Sequence, residues 1–311
     1  MKERYKRLIG INFLDVFRSS EILELCKMAS SSDGRVYDVV ELKIGDQLFT
    51  AEISITKIQK NCSETVGYLI EMHDLSQLVA LKEVEEEFLA GAGHELRTPL
   101  SAIKGYVETL KEEGIENRER SLRFLGVIED QVKRLERVIN AMITLAQLRG
   151  KGGLLRDELT EVEIHSLVEE AKISLNELSL ERGIEVKIEG ERGVYHPMRP
   201  DLMHHVVRNL LENALKFGPS GSQVVIGFRK EDGLYLWVED KGPGIKDSEK
   251  VKIFNRFYKG STFSLQKGAG LGLALARAVV EVHRGKIWVE SPGVGSKFVV
   301  WLPDLWGSSF P

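Results

Sequence analysis

The chain has 311 residues, 42% of them hydrophobic and 29% charged, with a formal net charge of −4. That size predicts two or three domains, each with its own core, and the charge balance argues against a nucleic-acid partner, which would favour a basic face. Two cysteines, Cys26 and Cys62, lie in no metal or redox spacing, which excludes a disulfide scaffold and predicts a reducing, cytoplasmic setting.

Residues 1–75 read as a small α/β unit. Helical spacing around Ile22, Leu23, Leu25 and Met28 gives way to a Ser30-Ser31-Ser32-Asp33-Gly34 turn signal. Strand-like runs follow at Val36–Ile44, Leu48–Ile58 and Val66–Met72. This order, and the closing Gly67-Tyr68-Leu69-Ile70-Glu71-Met72-His73-Asp74-Leu75 before a helix, resembles the later part of a PAS sensor domain whose leading strands are missing or shortened. No apolar run of roughly 18 residues occurs, so no membrane segment is expected in this chain. The expectation is a cytoplasmic protein, or the soluble portion of a membrane-anchored parent.

Residues 76–150 read as a helical hairpin. The first helix is expected to run to about Glu112 and to break at Gly114. Its apolar seam is Leu89, Leu96, Leu100, Ile103, Val107 and Leu110. At ~100° per residue, His94 lies roughly 120–180° from every member of that seam. It is expected to face solvent or a partner, with Glu95 beside it and Thr98 one turn later. Pro99 removes a backbone donor and frees the Glu95 carbonyl, so the helix can bend beside the histidine. The second helix carries Leu125, Ile128, Val132, Leu135, Ile139, Met142 and Ala146 in 4-3 alternation. Two such seams are expected to be buried by pairing two hairpins into a dimeric four-helix bundle, the alternative being an intramolecular coiled-coil connector.

This segment, Gly91-Ala92-Gly93-His94-Glu95-Leu96-Arg97-Thr98-Pro99-Leu100, closely resembles the phosphoacceptor box of sensor histidine kinases. The family pattern His-Glu-Leu-Arg-Thr-Pro-Leu is matched without a mismatch.

Beyond a glycine-rich linker at Arg149–Gly153, residues 151–311 mix helices near Val162–Leu180, Leu202–Phe217 and Leu271–His283 with five strands. The strands are expected near Ile184–Ile188, Gln223–Lys230, Leu234–Glu239, Lys286–Glu290 and Lys297–Leu302. They do not alternate with helices as repeated βαβ units, so a helix layer on a mixed, largely antiparallel sheet is expected. The fold class is multidomain α+β: a partial PAS-like α/β unit, a dimeric helical hairpin, and an α/β sandwich.

Four patches of this last region carry chemistry. On one helix, Asn209, Asn213 and Lys216 fall within about 60° of one another, opposite Val206, Val207, Leu210, Leu211 and Ala214. Amide oxygens for Mg²⁺ and an ammonium for phosphate are what a metal-bound polyphosphate needs. Glu212 sits off that face and reads as solvated. Asp240-Lys241-Gly242-Pro243-Gly244-Ile245 follows an apolar strand, and a carboxylate there can accept from the exocyclic amine of adenine. Phe254-Asn255-Arg256-Phe257-Tyr258-Lys259 places aromatics beside two cations, as a mobile lid over phosphate would. Gly268-Ala269-Gly270-Leu271-Gly272 is a glycine-rich turn opening a helix whose amides can bind phosphate.

In this order the patches resemble the N, G1, F and G2 boxes of the ATP-binding domain shared by histidine kinases, gyrase-type ATPases and related chaperones. With the His94 box the resemblance covers roughly residues 76–305, and the PAS-like start is similar to that of phosphate-responsive sensor kinases. It implies that His94 takes the γ-phosphoryl group of ATP while Glu95 accepts the imidazole N–H. It further implies that Asn213 and Asn209 hold Mg²⁺, that Phe217 and Ile245 help line the nucleotide site, and that Lys216, Arg256 and Lys259 neutralise phosphate. Homodimerisation through 76–150 and transfer to an aspartate on the receiver domain of a response regulator are implied partners. Thr98 is expected to orient water for the reverse dephosphorylation, or else to bond a backbone carbonyl near the Pro99 bend. The competing expectation is an ATPase or conformational clamp on the same fold, against which Asn209 stands where hydrolysing relatives carry a glutamate base.

Overall fold

The computed structural model describes residues 19–31, 35–44, 47–60, 64–113, 117–148, 154, 156–260 and 269–304. It divides into two compact units, Met1–Ala90 and Gly91–Pro311.

In the first unit, helix α1 (Ser20–Ser31) covers a three-stranded antiparallel meander of β1 (Arg35–Ile44), β2 (Gln47–Lys60) and β3 (Glu64–Asp74). Ile22, Leu25 and Ala29 form the buried stripe of α1 and meet Val40, Leu42, Ala51, Ile53 and Ile55 of the sheet. Leu23 and Met28, counted in the helical pattern, are exposed because they lie off that stripe. Ser30 and Ser31 extend the helix rather than turning, and residues 32–34 of the expected turn lie outside the described residues.

The sheet leads straight into helix α2 (Ser76–Glu113). The Ser76 amide donates to Asp74 Oδ1 at 2.9 Å, and the Thr50 amide donates to Ser76 Oγ at 3.1 Å. Strand end and helix start are thereby tied together. Pro99 sits inside α2 and is buried. Helix α3 (Arg118–Leu148) begins where Asn117 caps it, its Oδ1 accepting the Arg120 amide at 3.1 Å. Residues 114–116, the expected break, and 149–153, the expected linker, lie outside the described residues.

The rest of the second unit is an α/β sandwich. Its elements are β4 (Thr160–Glu163), α4 (Ile164–Ser174), α5 (Asn176–Arg182), β5 (Glu185–Glu189), β6 (Tyr195–Met198) and α6 (Pro200–Phe217). They continue with β7 (Gln223–Lys230), β8 (Gly233–Asp240), α7 (Gly272–Val282), β9 (Lys286–Glu290) and β10 (Ser296–Pro303). The main sheet has the order β5-β7-β8-β10-β9, in which β5 and β7 are parallel and every other pair is antiparallel. The parallel pair follows from the long crossover through α6. The expectation of one long helix over Val162–Leu180 is corrected: Thr160–Glu163 is a strand paired with β6, and Leu175 separates two helices.

Period-two alternation buries Leu234, Leu236 and Val238 of β8 against the helix layer. Pro200 opens α6, where a missing N–H costs nothing. That helix buries Leu202, Met203, Val206, Val207, Leu210, Leu211, Ala214 and Leu215, leaving its other side for Asn209, Glu212, Asn213 and Lys216. The hairpin contributes to the same core through a stripe that the 4-3 seam does not contain. Val138, Leu145 and Leu148 of α3 are buried there, and α3 packs on α7. Leu125, Val132 and Ile139 of the seam itself stay exposed in the single chain.

Candidate functional site

At the end of β8, Asp240 is 7% exposed, and Oδ1 accepts the Gly242 amide at 2.7 Å. Burial pushes its carboxyl above the usual range, against the backbone amides that favour the ion. A second loop holds the turn in place. The Gly295 amide donates to the Gly242 carbonyl at 2.8 Å, and the Ile245 amide donates to Ser291 Oγ at 2.9 Å. Gly244 adopts φ +76°, and a Cβ there would lie 2.2 Å from the Gly293 carbonyl oxygen. Only glycine fits. Gly242 backs onto the Phe217 carbonyl, which a Cβ would approach to 3.0 Å, so the Asp240 turn and the end of α6 are adjacent.

The polar side of α6 meets the start of α7. Asn209 Nδ2 donates to the Gly272 carbonyl at 3.3 Å, and a Cβ on Gly272 would come within 3.3 Å of Asn209 Oδ1. Asn213 lies one turn on, half-buried. Two amide oxygens beside a glycine cradle at a helix N-terminus form a donor set suited to Mg²⁺ that arrives with phosphate oxygens. Leu271 is buried and anchors the cradle, whereas Gly268 lies outside the described residues.

The structure corrects the reading of Glu212. Its side chain is 14% exposed, not solvated. Oε1 accepts from Lys216 Nζ at 2.5 Å and from Arg137 Nη1 of α3 at 3.2 Å. Burial raises the Glu212 carboxyl, but Lys216, Arg137 and Arg208 outweigh it and leave the pKa below the ordinary value. Lys216, expected on phosphate, is here on Glu212.

The lid segment reaches the phosphoacceptor helix. Phe257 takes φ +58°, a conformation that costs a bulky residue about 1–2 kcal/mol. Its amide donates to the Gly270 carbonyl at 2.9 Å, and its ring lies where a Cβ on Gly91 would be, within 2.7 Å. Two residues on, Lys259 Nζ donates to Glu95 Oε1 at 2.5 Å. Arg134 Nη2 of α3 takes the other oxygen, Oε2, at 3.0 Å. Arg256 immediately precedes Phe257 in the lid and is half-buried.

His94 is exposed, one residue from a Glu95 that is 5% exposed. Its neighbours Glu95 and Thr98 both have partners. Glu95 does not face His94 on an open surface; its oxygens are occupied by Arg134 and Lys259. Thr98 Oγ1 donates to the His94 carbonyl at 3.2 Å, the backbone alternative near Pro99. Lys259 accordingly holds a carboxylate here instead of standing free for phosphate. Arg134, Arg137 and Glu212 carried no motif signal. They could have been found only as charges interrupting amphipathic faces, which is how ordinary solvated residues also look.

The His Kinase A phospho-acceptor family model matches residues 84–151, and the histidine kinase-, DNA gyrase B- and HSP90-like ATPase model matches residues 198–305. Sensor histidine kinase WalK of Bacillus subtilis is 30% identical over 273 residues, spanning 85% of this chain and 44% of the relative. The chain thus spans less than half the length of that relative. Histidine kinase ThkA, solved in complex with response regulator protein TrrA, is similar with a TM-score of 0.54 at 20% identity, covering 96% of this chain and 90% of that one. Full-length ShkA, solved with AMPPNP, gives a TM-score of 0.51 at 26% identity over 70% of this chain and 45% of its own. Among the described residues no helix is long and apolar enough to cross a membrane. The chain thus joins a His Kinase A phospho-acceptor segment to a histidine-kinase-type ATPase domain, as in a two-component sensor histidine kinase.

Proposed function

We propose that this chain is an ATP-dependent protein-histidine kinase that phosphorylates His94 and passes the phosphoryl group to an aspartate of a separate response regulator. One observation carries the reading most directly. The lid of the nucleotide domain, through Phe257 and Lys259, sits on the helix that bears His94, at Gly91 and Glu95.

In the reaction, the unprotonated imidazole nitrogen of His94 attacks the γ-phosphorus of ATP. A P–N bond forms, the P–O bond to the β-phosphate breaks, and ADP departs. The N–H proton of the other ring nitrogen passes to Glu95 once Lys259 and Arg134 release a carboxylate oxygen, or to water. Asp240 orients adenine, while Lys216 and Arg256 oppose phosphate charge. Asn213 and Asn209 would hold Mg²⁺, which when bound neutralises the phosphate oxygens. The Thr98 hydroxyl has committed its proton to the His94 carbonyl. Its oxygen lone pairs stay available to orient water in the reverse reaction.

The division into 1–75, 76–150 and 151–311 follows the same reading, with the meander as a PAS-type sensor and the hairpin as the dimerisation element. The exposed Leu125, Val132 and Ile139 support a homodimer, since a second hairpin would bury them. That the ThkA structure contains a response regulator supports the same kind of partner for this chain.

The test uses the purified chain, γ-labelled ATP and a panel of receiver domains. Label should leave the chain and appear on at least one receiver, and not on the same receiver with its phosphoacceptor aspartate changed to asparagine. Release of free phosphate without any labelled protein would instead support the ATPase clamp.

A further inference from the structure

Glu212 is an unusual neighbour for a phosphate-binding lysine. It sits one turn before Lys216 on α6, its side chain is 14% exposed, and one oxygen, Oε1, receives both Lys216 and Arg137. Arg137 comes from α3, 75 residues earlier in the chain, with its side chain 53% exposed. Arg208 is the other charged group acting on this carboxylate.

We infer that Arg137 is a positioning residue for nucleotide binding, acting from the hairpin through Glu212 on Lys216. The inference rests on the nucleotide-site reading above. A triphosphate brings several negative charges to Lys216, one helical turn from a carboxylate that water screens poorly. As the lysine turns to phosphate, Glu212 loses its nearest cation. Arg137 keeps the carboxylate paired and lowers the repulsion between it and the phosphates. Because coupling is reciprocal, bound nucleotide strengthens the Arg137–Glu212 contact, and with it the seating of the hairpin on the ATPase domain. An exposed ion pair is ordinarily worth little. This one differs because its acceptor is mostly buried and its second cation is claimed by the ligand.

The experiment titrates the whole chain with a non-hydrolysable ATP analogue and Mg²⁺ by calorimetry, with adenosine in parallel. Arg137→Gln should weaken analogue binding roughly three- to tenfold and leave adenosine affinity as in wild type. Glu212→Gln should bind the analogue at least as tightly as wild type, since it frees Lys216. In that background Arg137→Gln should have no further effect. Arg137→Gln binding like wild type would overturn the inference, as would an equal loss with Glu212→Gln present or an equal loss for adenosine, either of which marks a general structural role. Wild-type chain that binds no analogue would overturn the nucleotide-site reading itself, a failure seen before any variant is made.

Discussion

Asp240→Asn is expected to weaken ATP binding about ten- to a hundredfold while leaving the fold intact or slightly firmer. The affinity loss is that of one charge-assisted hydrogen bond to the adenine amine in a largely dry site. Stability moves the other way for a separate reason. Burial raises the folded-state carboxyl of Asp240 above its ordinary value. The folded chain therefore holds that proton more tightly than the unfolded chain, and ionisation costs stability as pH rises through the folded value. Asparagine removes the cost and keeps an oxygen for the Gly242 amide. Nucleotide titration paired with urea unfolding at neutral pH checks both halves. Unchanged affinity would remove Asp240 from adenine recognition.

Gly244→Ala should fail differently, losing stability and affinity together. The residue stands at φ +76°, where a Cβ costs about 1–2 kcal/mol before any contact is counted. That Cβ would also lie 2.2 Å from the Gly293 carbonyl, an atom of another main-chain loop that cannot rotate away. Together these amount to on the order of 2–4 kcal/mol, and they push the 240–245 turn off the 291–295 loop that fixes it. Unfolding midpoints and analogue affinity should both fall. An alanine variant as stable as wild type would mean that the two loops are not tied as the Gly242–Gly295 and Ile245–Ser291 bonds indicate.

The two variants also illustrate what a linear chain discloses. The strands Gln223–Lys230 and Lys286–Glu290 were legible to the residue because β7 and β9 are short apolar or alternating runs bounded by turn residues. The mixed sheet was legible from the order of its elements. Thr160–Glu163 and Tyr195–Met198 were not, because a four-residue pair sets no period and is held by its partner strand. Local periodicity placed Asn209, Asn213 and Lys216 on one side of α6 and His94 on the exposed side of α2. It could not reveal what lies across from them. Glu95 meets Lys259 from 164 positions away and Glu212 meets Arg137 from 75, so their ion-pair partners are fixed by tertiary packing. The buried stripe Val138, Leu145 and Leu148 was overshadowed by the stronger 4-3 seam on the same helix.

The central claim is that His94 is the nucleophile, and it is tested most directly by locating the phosphoryl group after incubation with γ-labelled ATP and Mg²⁺. Wild-type chain should carry an acid-labile, base-stable label that mass spectrometry under neutral conditions assigns to the peptide containing His94. His94→Gln should carry none while binding the non-hydrolysable analogue with wild-type affinity, because the exposed imidazole contributes nothing to the Asp240 and Asn209 contacts. Acid-labile label persisting in His94→Gln, or label residing on an acid-stable residue of the wild type, would contradict the account.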